Sequence, residues 1–238
     1  MLALAALGLR IGRRVRKDGA WSEAGAIEGA IFALLGLLLG FAFAGAMSRL
    51  DERRNLVVEE ANAIGTAYLR LDLLPAEDQK PLRGLFRNYL DARLGIYDAI
   101  DSGGDPNPAI KTAARLQGEI WNAVIASSRK APPSPVTALV IPAVNEMIDV
   151  TAARAVALNT HVPTAILALL VGVALISAFI AGYAMEKPGR WHFFYAAIYS
   201  VAVSLTIYTV LDLDNPRAGI IRLQVADQAL RELRESIN

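Results

Sequence analysis

GAIFALLGLLLGFAFAGAMS, residues 29–48, runs for twenty residues without a charged side chain. A helix rises 1.5 Å per residue, so about 20 apolar residues reach across the hydrocarbon core of a bilayer. The chain then continues through RLDERR (49–54) and VVEEANAIGTAYLRLDLL (57–74), and the first proline downstream is Pro75. Proline is the residue that ends a helix by removing a donor and clashing with the preceding turn. The stretch therefore predicts one long helix that leaves the membrane and becomes the first wall of a water-facing domain.

The whole chain agrees with that division. Hydrophobic residues make up 54% of its 238 positions and the mean hydropathy is +0.37, too apolar for an ordinary soluble domain and too polar for a protein that is all membrane. A formal net charge of +1 leaves no field to draw in nucleic acid. Cysteine is absent, which removes disulfides, thiolate metal sites and cysteine nucleophiles together.

Residues 1–9 are apolar but span only about 13 Å as a helix, and the basic residues Arg10, Arg13, Arg14, Arg16 and Lys17 follow them. A secretory signal has the reverse order. The reading is the stub of a first membrane helix. In the first full span Gly25, Gly29 and Ala33 recur every four residues, as do Gly36 and Gly40, a spacing that lets another helix approach closely in lipid. Beyond the span, Val57, Ala61, Ile64, Tyr68 and Leu71 make an apolar stripe beside a polar seam of Asn55, Glu59, Asn62, Thr66 and Arg70. Further helices are predicted over 77–100, with Leu82, Leu85, Phe86, Tyr89, Leu90, Leu94 and Tyr97 inward. Others follow over 109–128, with Ile110, Leu116, Ile120, Trp121 and Val124 inward, and over 136–159, with Leu139, Val140, Val144, Met147, Ile148 and Ala155 inward. Pro142 either kinks the last of these or starts a new segment. SGGDPNP (102–108) is a loop.

Residues 162–185 carry no charge and form a second span; a short turn over 186–190 leads to a third over 191–211 that opens on the aromatic belt WHFFY. Asp212, Asp214 and Asn215 before Pro216 read as a helix N-cap with proline in the first turn, and 217–236 as an amphipathic helix. The fold class is all-α: a polytopic membrane protein with three spans, a stub of a fourth, and a helical domain inserted between spans. Its segments are 1–25 (stub and basic loop), 26–48 (span entering the domain), 49–160 (helical domain), 161–212 (membrane hairpin) and 213–238 (C-terminal helix).

Basic residues near span ends number seven on the short-loop side and six on the domain side. Short loops weigh more in the positive-inside rule, which favours short loops inside and the helical domain outside.

EEANAIGTAYLR (59–70), with its LLP stop, and DLDNPRAG (212–219) together resemble the signatures of a bacterial membrane family called bestrophin-like. GLRIGRR (8–14) and NEMID (145–149) with Arg154 extend the resemblance over nearly the whole chain. Bestrophins are pentameric anion channels, some bacterial relatives passing cations, with four spans and a large helical insert between the second and third. The resemblance implies a homo-oligomer in the bacterial inner membrane, with inorganic ions and the lipid bilayer as partners. It also implies a cytosolic insert, opposite to the charge reading. The family normally begins with a complete first helix, and this chain is short there.

Enzymatic motifs are missing: neither histidine follows an acid at three residues (Leu158 and Gly189 stand there), no glycine-rich loop precedes a lysine, and no serine sits in an elbow motif. No catalytic residue, cofactor or metal is expected. A channel needs a lumen with polar or hydrophobic constrictions. The candidate lining residues are Phe32, Leu35, Leu39 and Phe43 of the first span and Tyr195 and Tyr199 of the last. Glu59, Asn62, Thr66, Arg70, Asp212, Asp214 and Arg217 are expected to meet in a polar cluster at the membrane face. The alternative function is a non-conducting scaffold or sensor whose helical domain receives a partner or ligand.

Overall fold

A computed structural model describes residues 1–16, 25–130, 137–185, 190–215 and 224–237. Among them are eight α-helices and no strand: α1 (Leu2–Arg16), α2 (Gly25–Arg70), α3 (Ala76–Asp101), α4 (Asn107–Lys130), α5 (Val140–Asn159), α6 (Thr164–Ala184), α7 (Arg190–Asp214) and α8 (Gln224–Ser236). Lys17, Arg217, Ile220, Leu223, the APPSP segment and the turn over 186–189 lie outside the described residues, as do the side chains of Trp191, His192 and Phe193.

Helix α2 runs unbroken for 46 residues, then tightens into a 3₁₀ turn, Leu71–Leu73, ahead of Pro75. Three stretches are long and apolar enough to cross a membrane: Gly25–Leu73, Val140–Ala184 and Phe194–Asp214, with mean hydropathies of 2.3, 2.6 and 1.7. The chain divides into two compact units. One comprises Met1–Arg49 with His161–Asn215, the other Leu50–Thr160 with Pro216–Asn238.

In the first unit α1 lies against α6, and glycine sets how closely. A Cβ added at Gly182 would overlap the Ala5 carbonyl, one at Gly8 the Phe179 carbonyl, and one at Gly12 would stand 2.7 Å from the Tyr183 carbonyl. Backbone meets backbone here, the contact that small residues every four positions permit. Beside it, Leu35 of α2 is covered by Leu170, Val173, Ala174 and Val203. Tyr199 of α7 donates its hydroxyl to Ser177 Oγ of α6 at 2.7 Å and meets Phe32 edge to face, with centroids 5.8 Å apart.

The second unit is a bundle of α3, α4, α5, α8 and the later half of α2. Val57, Ile64 and Leu71 of α2 pack with Phe86, Leu90 and Tyr97 of α3, Ile120 and Val124 of α4, and Val144 and Met147 of α5, all buried. Each such aliphatic or aromatic side chain contributes about 1.5–3 kcal/mol when it is fully withdrawn from water. Leu230 of α8 is fully buried in the same core, and Leu233 lies 3.3 Å from where a Cβ of Gly65 would be. Arg231 to Asp98 and Arg234 to Asp91, both 2.6 Å, tie α8 to α3.

Three inward assignments are corrected. Leu139 is 49% exposed because α5 starts at Val140, not four residues earlier, so Leu139 belongs to the preceding 3₁₀ turn. Ile110, in the first turn of α4, and Ala155 of α5 are exposed as well. Pro142 starts a segment: it stands in the first turn of α5, where the absent N–H would have had no partner.

Candidate functional site

In the membrane unit one side of α2 is engaged by its own chain and the other is bare. Leu35 is 3% exposed, whereas Ile27, Leu34, Leu37 and Phe41 are between 46% and 68% exposed. Positions 27, 34, 37 and 41 fall on one helical face, since 3.6 residues make a turn. Beside that face Gly25, Gly29, Gly36 and Gly40 have nothing within 4 Å of where a Cβ would stand. Just 11% of the most apolar window of α2 is buried. Of the six expected lining residues, Leu35 is covered within the chain, and Phe32, Leu39 and Tyr199 pack beside it. Phe43 and Tyr195 stay exposed. Leu34, Leu37 and Phe41 carry the bare face of α2, whereas Phe43 lies on the far side of the helix from Leu34.

The N-cap expected before Pro216 concerns residues outside those described; what the structure does show is the end of α7. The helix continues through Asp212 to Asp214, and Asn215 Nδ2 donates back to the Leu211 carbonyl at 3.1 Å, closing the C-terminus. A carboxylate at a helix C-terminus opposes the macrodipole. Asp214 is held there by neighbours: Arg49 Nε donates to Oδ1 at 2.9 Å, the Val162 N–H donates to Oδ2 at 3.0 Å, and His161 Nδ1 stands 3.4 Å from the same oxygen. One carboxylate thus joins the end of α7 to the middle of α2 and to the residues leading into α6. Asp214→Asn keeps an acceptor and discards the charge. It should lower the stability of detergent-solubilised protein by about 1.5–3 kcal/mol, the worth of a hydrogen bond to a charged group. Thermal unfolding of Asp214→Asn, Arg49→Met and the double variant checks this, since additive losses would deny the coupling.

In the helical unit Glu59, Asn62, Thr66 and Arg70 do share a wall. With Ala143 and Glu146 of α5 they line a cavity of about 460 Å³. Arg70 Nη1 donates to the Leu139 carbonyl at 2.8 Å. Four of the seven residues expected to cluster therefore lie together. Asp212 and Asp214 belong to the membrane unit, and Arg217 lies outside the described residues. Among the described residues no three His, Asp or Glu side chains are placed to hold a metal ion.

The buried charges of this unit fall outside the polar seam. Glu60, fully covered, faces two guanidiniums: Arg93 Nε lies 2.6 Å from Oε1, and Arg154 Nη1 donates to Oε2. Arg154 also lies over the Tyr97 ring at 4.5 Å. Burial disfavours the charge on Arg93, but Glu60 outweighs it and raises the guanidinium pKa, with smaller help from Tyr97 and Tyr89. Arg53 is also buried; its Nε donates to the Ala157 carbonyl at 3.0 Å and its Nη2 to that of Thr160 at 2.7 Å. The Ala157 carbonyl also accepts the Thr160 N–H at 3.4 Å, and the guanidinium adds donors at the C-terminal end of α5, where intrahelical partners run out.

A signal for both existed in the sequence. Positions 53, 57, 60, 64, 67 and 71 make one stripe at helical spacing, and charges at 53 and 60 interrupt it.

The family described as Bestrophin-like domain matches residues 2–228. This chain belongs to the bestrophin-like family. No curated protein matches it at a significant level. Among solved structures it is similar to a bacterial bestrophin homologue from Klebsiella pneumoniae. One variant of that protein is 16% identical with a TM-score of 0.73, covering 99% of this chain and 97% of the other. A second variant is 16% identical with a TM-score of 0.74, covering 99% and 93%. A structure described as a membrane protein is 17% identical with a TM-score of 0.73, covering 100% and 97%. At these identities the likeness concerns the fold: this bestrophin-like chain shares the helical membrane architecture of those proteins along nearly its full length.

Proposed function

We propose that the chain assembles with copies of itself into an ion channel of the bacterial inner membrane, with small inorganic ions crossing along an axis bordered by α2. One observation carries this reading: an apolar helix of hydrocarbon length that its own chain leaves bare on one face. Membership in a family whose known members are ion channels supports it. The bare face has two textures. The glycines at 25, 29, 36 and 40 suit close packing against a neighbouring copy. Leu34, Leu37 and Phe41 suit a hydrophobic neck, which gates by excluding water. No covalent step is assigned to any residue, and the role is conduction rather than catalysis.

The test is ion flux into liposomes containing purified protein, together with the oligomer mass in detergent corrected for bound lipid. Phe41→Ala should raise flux without changing the oligomer. Gly36→Leu with Gly40→Leu should break the oligomer while the monomer remains folded. A monomer without flux would sink the proposal and leave a non-conducting scaffold or sensor.

A further inference from the structure

A second cavity, of about 410 Å³, opens between α3, α4 and α5 of the helical unit. This lies within the range of small-molecule sites, about 300–1,000 Å³. Its polar lining is Tyr89, Arg93 and Tyr97 of α3, Gln117 of α4, and Thr151, Arg154 and Asn159 of α5, and its remaining wall is largely aliphatic, with Ile96 and Ile148. Two guanidiniums line it and no carboxylate does; Glu60 lies behind them, outside the lining. Gln117 Nε2 is covered and has no hydrogen-bond partner. A covered donor without an acceptor is costly, and a cavity is where an acceptor can arrive.

The other polar groups hold the floor in place. Arg93 Nη2 donates to the Tyr97 hydroxyl at 3.1 Å, and the Tyr89 hydroxyl pairs with Thr151 Oγ1 at 3.1 Å. Burial raises the Tyr89 pKa, with Arg93 pulling the other way, so the hydroxyl keeps its proton and adds no negative charge to the lining.

We propose that this cavity binds a small organic carboxylate with an apolar body, the carboxylate on Arg93 and Gln117 and the body against Ile96 and Ile148. A bare inorganic anion would give up its hydration for few donors and leave the aliphatic wall wet, whereas an amphiphilic monoanion satisfies both. The inference stands apart from the channel reading, because a scaffold without flux would have the same cavity.

Benzoate is the probe, with neutral benzamide as the isostere. Equilibrium dialysis of labelled benzoate against full-length protein in nanodiscs, blanked with empty nanodiscs, should show saturable binding at one site per chain. Benzamide should bind at least about tenfold more weakly, because a charge-assisted hydrogen bond is lost. Gln117→Leu should weaken benzoate about tenfold by the same reasoning. Ala155→Trp, at an exposed position of the lining, should abolish binding by filling the space. Absence of saturable benzoate, equal binding of benzamide, or full binding to the Ala155→Trp protein would each overturn the proposal.

Discussion

Glu60→Gln should destabilise the helical unit by about 3–5 kcal/mol, the cost of stripping one partner from a buried ion cluster. The substitution keeps the size of the side chain but turns one of its two acceptor oxygens into an NH2 donor facing a guanidinium. What it removes is the carboxylate that Arg93 approaches at 2.6 Å and to which Arg154, itself 1% exposed, donates. Two guanidiniums would then sit against the Tyr97 ring with no counter-charge from α2. Glu59→Gln, one position along and exposed, is the control and should lie within about 0.5 kcal/mol of the parent. Thermal unfolding of the two purified proteins, followed by near-UV circular dichroism and by protease resistance of the helical unit, separates them. Equal midpoints for both variants would mean that the Glu60 cluster contributes nothing. Replacing Glu60, Arg93 and Arg154 together with apolar residues should recover much of the loss, because buried ion clusters are stabilising mainly relative to their broken forms.

The second large effect is expected at Gly182. Leucine there has no room, since even a Cβ would overlap the Ala5 carbonyl. Helix α1 must then move away from α6, and the contacts at Gly8 and Gly12 go with it. Overpacking of this kind costs about 1–3 kcal/mol where neighbours can adjust, and more where the obstacle is backbone. Gly172→Leu, on the same helix with nothing within 4 Å of its Cβ, should be close to neutral in the isolated chain. The comparison is again a pair of unfolding midpoints in detergent. A Gly182→Leu protein as stable as Gly172→Leu would show that the close approach of α1 to α6 is unimportant.

The two positions also mark what was legible in the sequence. The all-α membrane architecture could be read because hydrocarbon-length apolar runs and the breaks at Pro75 and 102–108 are local signals. Periodicity found the buried face of α3, where Phe86, Tyr89, Leu90 and Tyr97 are all covered. Pairings were less legible. Small residues every four positions announce close packing but not which copy of the motif is used. The stripe on α2 was the more conspicuous, yet within the chain it is open; the same spacing in α6, Ala178 with Gly182, is the copy that is used, against Gly8 and Gly12. Glu59 and Glu60 are neighbours in sequence and opposites in environment. The polar seam drew attention to Glu59, whereas the acid that interrupts the apolar stripe is the one in the core. Its partners, 33 and 94 residues away, are brought to it by tertiary packing, which no local window contains.

The seat of α8 has a consequence for biosynthesis. Leu230 fills the centre of a bundle whose first wall is α2, and Leu233 presses on Gly65. On the ribosome, residues 230–237 emerge only after 164–214 have been made. The translocon must therefore handle both later spans while the bundle still lacks its closing helix. Until then the surface around Gly65 lacks the cover that Leu230 and Leu233 provide in the finished bundle.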